Sequence, residues 1–277
     1  MTLPAHNQRI LTGLIILIMV GGAAALGRLG IGLLIGLASM VAQYEFYDMV
    51  YSNEKKHWLE KGLGLALGLG ALVTCGLNVP YAAQAFTIAT AMSSALVLLY
   101  RFNDGDNRPH LFSALLLIMG FIYVPLVLQM AFRLLPMEIL LILVGVVASD
   151  TAAYYAGVTM GKRKIWPRVS PKKSWAGSIA GLITCTLAVT IMGSLLFNHN
   201  PAIWLLAGMT INVAAQLGDF FESALKRIYE IKDSSQLLPG HGGVLDRIDS
   251  LLFALPAYML LHYLFNLGGN AGLQAGL

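Results

Sequence analysis

The sequence predicts an all-α, polytopic membrane protein of about nine transmembrane helices, with a cytoplasmic N-terminus and the C-terminus outside. Of its 277 residues, 57% are apolar and only 12% are charged, whereas soluble domains carry about 25% charged residues. Apolar stretches recur along the whole chain, and positive charges fall in alternate connecting segments. Both patterns are typical of a protein that is built for lipid.

Each predicted helix is an apolar segment close to the roughly 20 residues that cross a bilayer. The first is interpreted as a retained helix rather than a cleaved signal, because further spans follow it. Pro80 separates the third span from the fourth, and residues 198–201 mark the turn between the seventh and the eighth. The predicted spans are 10–27, 29–47, 62–79, 81–100, 111–132, 134–156, 177–197, 202–222 and 250–268.

The distribution of Lys and Arg tests this count. With the N-terminus in the cytoplasm, 16 of the 18 Lys and Arg residues lie in cytoplasmic segments, and only Arg28 and Arg133 lie on the other side. This asymmetry is the one that orients membrane proteins. It also argues against nucleic-acid binding, because the cations line one membrane face.

Acidic residues inside two spans indicate a functional site. Asp150 lies in the sixth span, Asp219 in the eighth, and Glu222 at the inner edge of the eighth. A charged carboxylate at the bilayer centre costs at least about 2.5–3.5 kcal/mol, so such residues usually face a bundle interior or a cavity. At about 1.5 Å per residue, Asp150 and Asp219 both lie roughly 10 Å beneath the cytoplasmic surface.

The eighth helix carries a polar stripe. Asn212, Gln216, Asp219, Ser223 and Lys226 are spaced four, three, four and three residues apart, so they line one face. For Asn212 and Gln216, hydrogen bonding between helices explains the stripe as well as a functional site does. For Asp219 a site is favoured, because an acid also needs a cation or a proton partner.

A glycine-rich segment, residues 233–249, precedes and enters the ninth helix. Gly240, Gly242 and Gly243 allow close approach of a ligand to the backbone. Asp246 and Asp249 are three residues apart on one helical face, and their carboxylates are hard oxygen ligands suited to Mg²⁺. The alternative is a turn followed by acidic caps on a helix.

The loop before the seventh span is basic and contains Ser170-Pro-Lys-Lys-Ser-Trp-Ala-Gly177. Lys172 and Lys173 suit phosphate oxygens, but a membrane-surface patch that only sets orientation explains them too. The same two interpretations apply to Lys226 and Arg227. The Gly157 and Gly161 pair favours helix packing over catalysis.

Several of these segments together resemble the phosphatidate cytidylyltransferases, also called CDP-diacylglycerol synthases. The resemblance is carried by Ser223-Ala-Leu-Lys-Arg227, Lys232-Asp233, Pro239-Gly-His-Gly-Gly243 and Asp246-Arg-Ile-Asp249. It extends to Gly218–Ser223, Asp150–Tyr154 and Ser170–Lys173, so it covers the C-terminal half. Two positions depart from the family pattern: Ser174 stands where threonine is expected, and Ala176 where an acidic or amide residue is usual.

The resemblance implies that CTP and phosphatidate react to give CDP-diacylglycerol and pyrophosphate, with Mg²⁺ or another divalent cation and a second cation as a further candidate. Such transfers depend on positioning and on cations that neutralise charge. Three groups of residues follow from it. Catalytic residues are Asp219, His241, Asp246, Arg247 and Asp249; metal ligands are Asp219, Asp246 and Asp249, with Asp150 and Glu222 as further candidates; phosphate-binding residues are Lys172, Lys173, Ser223, Lys226, Arg227, Lys232, Gly242 and Gly243.

Two other functions compete with this reaction. A CTP-dependent lipid kinase would transfer the γ-phosphoryl group to a polyprenol or phytol and release CDP. A transporter would also use intramembrane acids and a basic vestibule, although transporters often show inverted repeats, and no such repeat is evident here.

The sequence further predicts membrane helices 1–5 in residues 1–133 and catalytic helices 6–9, with their cytoplasmic loops, in residues 134–277. Compactness and the lack of a soluble N-terminal extension favour a bacterial inner (plasma) membrane, with the active site facing the cytoplasm. The lipid bilayer is therefore a partner in addition to the two substrates. The family commonly dimerises, so a homodimer is a further candidate arrangement.

Overall fold

All long elements in the described part of the chain are helical. A computed structural model describes residues 5–51, 57–102, 107–197 and 199–267. Within these ranges the only β-pairing is two isolated bridges, Lys164–Ser174 and Leu238–Gly242, so the predicted all-α class is confirmed. The helices are α1 (Ala5–Ala25), α2 (Gly27–Val50), α3 (Trp58–Gly76), α4 (Ala82–Arg101), α5 (Asn107–Tyr123), α6 (Pro125–Leu128), α7 (Pro136–Met160), α8 (Trp175–Leu196), α9 (Pro201–Ile228) and α10 (Leu245–Phe265).

Eight helical stretches in the described residues are long and apolar enough to cross a membrane, which confirms a polytopic membrane protein. The first predicted span, 10–27, falls on α1, where the apolar part is the shorter stretch Thr12–Ala25. The fifth predicted span falls within one apolar stretch, His110–Arg133, but its helix is interrupted, because α5 ends at Tyr123 and α6 begins at Pro125. Proline has no N–H to donate to the preceding turn, so the helix stops and restarts there.

Helix α9 extends beyond its predicted span. Asn200 caps its start by accepting a hydrogen bond from the Ala202 amide at 2.9 Å, and Pro201 occupies the first turn, where a missing N–H costs nothing. With 28 residues the helix is about 42 Å long, more than the roughly 30 Å of the hydrocarbon core. Its final turns therefore carry Lys226 and Arg227 past the apolar stretch.

The chain divides into two compact units. Unit 1 comprises Met1–Phe132 and Ile231–Arg247, and unit 2 comprises Arg133–Glu230 and Ile248–Leu277. The boundary falls inside α10, after Arg247. The functional division predicted at residues 133 and 134 stays a prediction.

Tyr47 of α2 is a core residue of unit 1. Its side chain is fully buried, and its hydroxyl donates to the carbonyl oxygen of Leu117 on α5 at 2.9 Å. The ring occupies the space beside Gly64 of α3 and Gly120 of α5, where any added Cβ would overlap it. On the same helix, Gln43 Nε2 donates to the Gly64 carbonyl oxygen at 2.9 Å. These contacts join α2, α3 and α5.

In unit 2, α8 packs against both α7 and α9. A Cβ at Gly177 would lie 2.6 Å from the carbonyl oxygen of Ala153, and one at Gly181 would lie 2.8 Å from Ser149 Oγ. Real Cβ atoms do not approach that closely, so glycine allows α8 to approach the α7 backbone. Close helix approach through small residues is the usual way in which membrane helices associate.

Candidate active site

The lysine–aspartate cluster of unit 2, defined here as Lys173, Asp219, Lys226 and Asp249, gathers four of the predicted site residues. Asp219 of α9 forms an ion pair with Lys173 of the basic loop. Asp249 of α10 is 9% exposed and interacts electrostatically with Asp219, Lys173 and Lys226. Two carboxylates and two ammonium groups therefore influence one another within this unit.

A close approach of α9 and α10 creates this cluster. A Cβ at Gly218 would lie 2.5 Å from the carbonyl oxygen of Asp249 and 3.1 Å from Cβ of Phe253. The rings of Phe221 and Phe253 pack with their centroids 5.4 Å apart on the same pair of helices. Glycine at position 218 thus brings Asp219, the next residue, close to Asp249.

The basic loop holds Lys173 in place. The Ile165 amide donates to the Lys173 carbonyl oxygen at 3.3 Å, and the Trp175 amide donates to the Arg163 carbonyl oxygen at 3.1 Å. The Lys173 ammonium group lies 4.4 Å from the centroid of the Phe220 ring, a cation–π geometry that also restrains it. Lys173 is therefore held by its backbone and by its side chain.

Ser174 explains one departure from the family pattern. It is the N-cap of α8, and its hydroxyl accepts a hydrogen bond from the Gly177 amide at 3.3 Å. Serine and threonine both serve this role, so the exchange keeps the chemistry of the cap. Ala176 lies in the first turn of α8, where it adds no charge.

Two further predicted residues lie beside the cluster on α9. Ser223 Oγ donates to Asp219 Oδ1 at 3.3 Å. Glu222 is fully buried and pairs with Lys226, one turn along the same helix. Two members of the predicted stripe, Asp219 and Ser223, therefore contact each other, and a third, Lys226, pairs with Glu222 beside the stripe.

The other half of the stripe connects helices. Asn212 Nδ2 donates to Ser149 Oγ on α7 at 2.6 Å, and Gln216 Nε2 donates to Asn212 Oδ1 at 2.6 Å and to the Ser178 carbonyl oxygen on α8 at 3.2 Å. Ser178 Oγ donates in return to Gln216 Oε1. Of the two interpretations left open by the sequence, hydrogen bonding between helices accounts for these two residues.

The glycine-rich loop, residues 233–245, belongs to unit 1 together with Asp246. One oxygen of Asp246, Oδ2, accepts hydrogen bonds from the amide and the hydroxyl of Ser234, both at 2.9 Å, and from the Gly243 amide at 2.7 Å. Gly242 has a φ of +82°, and a Cβ there would lie 2.6 Å from Asp246 Oδ2. Glycine is thus required at 242 both by the backbone and by the carboxylate.

His241 and Arg247 are joined through the backbone of the loop. The Arg247 guanidinium donates from Nε at 3.0 Å and from Nη2 at 2.6 Å to the carbonyl oxygen of His241. Within the described part of the chain, His241 Nδ1 is buried and has no hydrogen-bond partner. A ring nitrogen in that state is available to a ligand or a water.

Glu45 is the residue that sequence reasoning missed. It lies on α2, is 2% exposed, and its carboxylate accepts hydrogen bonds from the amides of Val244 and Leu245 at 3.1 and 2.7 Å. The hydroxyl of Thr12 on α1 also contacts the loop, donating to the Pro239 carbonyl oxygen at 3.0 Å. The first two helices therefore hold the glycine-rich loop, although the resemblance lies only in the C-terminal half.

The remaining predicted residues lie at the surface of their own units. Lys172, Arg227 and Asp150 are exposed in unit 2, and Lys232 is exposed in unit 1. Arg227 Nε donates to the Val169 carbonyl oxygen at 3.4 Å, which ties α9 to the basic loop. Asp150 interacts electrostatically with Cys185. Their roles toward substrates stay predictions.

The donor set fits a divalent cation that also binds phosphate. Among the residues that the structure describes, no three Asp, Glu, His or Cys side chains form a metal-binding group by themselves. Mg²⁺, however, is usually held by one or two carboxylates, substrate phosphates and water. Asp219 and Asp249 provide two carboxylates within unit 2.

The fold and these clusters define a polytopic α-helical membrane protein with acids, lysines and a glycine-rich loop at its helix ends. The chain belongs to the cytidylyltransferase family, whose model matches residues 7–265. The resemblance seen in the sequence is confirmed at the level of the family.

Curated relatives match part of the chain. The phosphatidate cytidylyltransferase of Staphylococcus saprophyticus is 47% identical over 115 residues, which are 41% of this chain and 44% of the relative. That of Bacillus subtilis is 44% identical over 120 residues, 43% of this chain and 45% of the relative. That of Staphylococcus haemolyticus is 49% identical over 115 residues, which are 41% of this chain and 44% of the relative. This chain thus spans less than half the length of the curated relatives it matches.

Proposed function

We propose that this chain is a phosphatidate cytidylyltransferase that makes CDP-diacylglycerol and pyrophosphate from CTP and phosphatidate. The observation that carries the proposal is the lysine–aspartate cluster, found in a chain whose family and named relatives are cytidylyltransferases. Both substrates are polyanions, so a site that joins them needs cations and carboxylates that can hold a further cation.

In the proposed reaction, an oxygen of the phosphatidate phosphate attacks the α-phosphorus of CTP. The bond between that phosphorus and the α–β bridging oxygen breaks, and pyrophosphate leaves with the oxygen. Phosphatidate is already an anion near neutral pH, so no general base is required. Catalysis then consists of holding the two phosphates together and balancing their charge.

Lys173 and Lys226 are the residues that balance this charge in unit 2. Lys173 is restrained by the loop and by Phe220, so it presents an ammonium group without first losing freedom of motion. Asp219 and Asp249 would hold Mg²⁺, which when bound neutralises a triphosphate and stabilises leaving pyrophosphate, and Asp246 stays a predicted catalytic residue and metal ligand. His241, with its buried Nδ1, is assigned a positioning or proton-handling role.

The proposed location is the bacterial plasma membrane, with the active site facing the cytoplasm. The excess of Lys and Arg in alternate segments supports this orientation, and the named relatives are bacterial proteins. CTP then arrives from the cytoplasm while the acyl chains of phosphatidate remain in the bilayer. A homodimer stays a prediction.

The reaction is tested by following labelled phosphorus atoms of CTP into the products. The purified full chain in detergent micelles is given phosphatidate, Mg²⁺ and CTP labelled at the α- or at the γ-phosphorus. Cytidylyl transfer moves the α-label into lipid and the γ-label into pyrophosphate. A CTP-dependent lipid kinase, supplied with a polyprenol, moves the γ-label into lipid and leaves the α-label in CDP, and a transporter moves neither.

Variants of α9 provide the controls. Asp219→Asn is expected to lose at least about 100-fold in rate, because it removes the charge of a proposed metal ligand. Glu230→Gln removes an exposed acid just beyond the same helix and is expected to keep the wild-type rate. Removal of the metal with EDTA should stop transfer, and added Mg²⁺ should restore it. A folded wild-type protein that puts no α-label into lipid would overturn the proposal.

A further inference from the structure

Glu45 is a buried acid of unit 1 whose carboxylate accepts four hydrogen bonds. Oε1 accepts from Ser235 Oγ at 2.5 Å and from the Val244 amide at 3.1 Å. Oε2 accepts from Ser234 Oγ at 3.3 Å and from the Leu245 amide at 2.7 Å. All four donors belong to the glycine-rich loop.

These contacts place the negative charge of Glu45 at the N-terminus of α10, where backbone amides stabilise an anion. The first amides of a helix have no partner inside the helix, and the positive end of the helix dipole stabilises an anion there. Glu45 takes the amides of Val244 and Leu245 at the start of α10, and Asp246 takes the amide of Gly243 just before them. Two carboxylates thus cap one helix end from two directions.

Ser234 connects the two carboxylates. Its hydroxyl lies 2.9 Å from Asp246 Oδ2 and 3.3 Å from Glu45 Oε2. Gly243 fits between them, because a Cβ there would overlap Ser234 Oγ and lie 2.6 Å from Glu45 Oε2. A displacement of Glu45 therefore moves the groups that fix the orientation of Asp246.

The neighbouring polar residues of α2 have a different task. Gln43 donates to the Gly64 carbonyl oxygen and Tyr47 to the Leu117 carbonyl oxygen, so both join α2 to other helices. Among the residues that the structure describes, the hydrogen bonds to the Glu45 carboxylate come from the glycine-rich loop. Its contacts are those of a loop anchor.

We propose that Glu45 is a positioning residue for cytidylyl transfer: it holds the glycine-rich loop and thereby the carboxylate of Asp246. The inference rests on the proposed function for the reaction, but the anchoring contact can be measured without it. Glu45→Gln is nearly isosteric, yet its amide group offers one acceptor and one donor. Each oxygen of Glu45 accepts from one serine hydroxyl and one backbone amide, so the glutamine NH2 group must face one backbone amide, whereas the serine hydroxyl beside it can rotate to accept.

The test combines hydrogen exchange with kinetics on the full chain in detergent. In Glu45→Gln the amides of Val244 and Leu245 are expected to exchange at least about tenfold faster, with the α3 amides unchanged. The kcat is expected to fall about 10- to 100-fold while KM for CTP changes less than about threefold, because a displaced group costs most in the transition state.

Two further variants separate positioning from folding. Tyr47→Phe removes a buried hydrogen bond from the same helix and should lower thermal stability without changing loop exchange or kcat per folded molecule. Ser235→Ala removes one donor to Glu45 and should show a weaker form of the Glu45→Gln effects, even where Glu45→Gln fails to fold.

Cytidylyl transfer by the wild type is measured first in the same preparation. A failure of the proposed function can then be distinguished from a failure of the role proposed for Glu45. Absence of wild-type transfer would overturn the proposed function. An active wild type with unchanged loop exchange and unchanged kcat in Glu45→Gln, or in Ser235→Ala where the first variant does not fold, would overturn the role of Glu45 alone.

Discussion

Replacing Gly218 by alanine tests whether the approach of α9 to α10 builds the lysine–aspartate cluster. The added Cβ would lie 2.5 Å from the carbonyl oxygen of Asp249, 3.3 Å from its carbonyl carbon and 3.1 Å from Cβ of Phe253. All three atoms belong to the α10 backbone or are attached directly to it. No side-chain rotation can relieve the overlap, so the helices must separate.

The expected cost follows from the size of that overlap. A contact between carbon and a carbonyl oxygen needs more than 3 Å, so α10 must move by about 0.5–1 Å, and overpacking of this kind costs about 1–3 kcal/mol. That energy corresponds to a decrease of roughly 2–10 °C in the unfolding temperature of a chain of this size. The separation also moves Asp249 away from Asp219, so rate should fall by at least about tenfold.

Thermal unfolding in detergent and label transfer from CTP are the two measurements. Gly62→Ala is the matched control, because a Cβ at Gly62 on α3 meets nothing within 4 Å. That change should stabilise the helix by up to about 1 kcal/mol and leave the rate unchanged. A Gly218→Ala protein as stable and as active as Gly62→Ala would refute the argument that this close approach forms the site.

Three other substitutions probe separate contacts. Lys173→Met should raise KM for CTP roughly 10- to 100-fold in initial-rate kinetics, since a charge-assisted hydrogen bond is worth about 1.5–3 kcal/mol, and Lys173→Arg should retain most of the affinity. Ser174→Ala should cost about 0.5–2 kcal/mol in thermal unfolding by removing the α8 cap, whereas Ser174→Thr should cost little. Arg101→Met leaves Glu60, which is fully buried, without the guanidinium that binds it at 2.8–2.9 Å, and should cost about 3–5 kcal/mol. The double variant with Glu60→Gln should recover much of that loss; equal stability of single and double variants would contradict this reasoning.

The membrane helices were predictable because their signal is local. Each is a run of apolar residues whose length is set by the bilayer, and neither property depends on distant parts of the chain. The structure differs from the predicted spans where backbone chemistry determines the end of a helix. Pro125 interrupts the helix of the fifth span, and α9 continues to Ile228 because a helix does not have to stop where hydrophobicity does.

The cluster of unit 2 was predictable in part. Spacing along α9 placed Asp219, Ser223 and Lys226 on one face, and the structure joins Ser223 to Asp219. The pairing of Asp219 with Lys173 connects a helix to a loop, and spacing along one helix carries no information about it. Only the resemblance brought the basic loop into the same site.

Glu45 shows why the first half of the chain contributed so little to the sequence prediction. Its partners lie 189 to 200 residues away along the chain, and an acid near the end of a span has the same appearance as a residue at the membrane surface. The sequence feature that could have identified Glu45 is the need of the glycine-rich loop for a hydrogen-bond acceptor. A glycine-rich loop that enters a helix has amides to satisfy, so a carboxylate elsewhere in the chain has a reason to be buried beside it.

The ion pairs of unit 2 affect how a polyanion such as CTP could bind there. Unpaired acids would repel CTP, whereas Lys173 balances the charge of Asp219 and Lys226 balances that of Glu222 before substrate arrives. Each lysine can then exchange its carboxylate for a phosphate oxygen, which replaces one charged partner by another and leaves no ammonium group buried alone. The carboxylates released in this exchange are Asp219, which is a proposed ligand of the divalent cation that accompanies the triphosphate, and Glu222. Under the proposed function, charge compensation would thus pass from protein to substrate, and the lysines of these ion pairs would become the contacts that bind CTP.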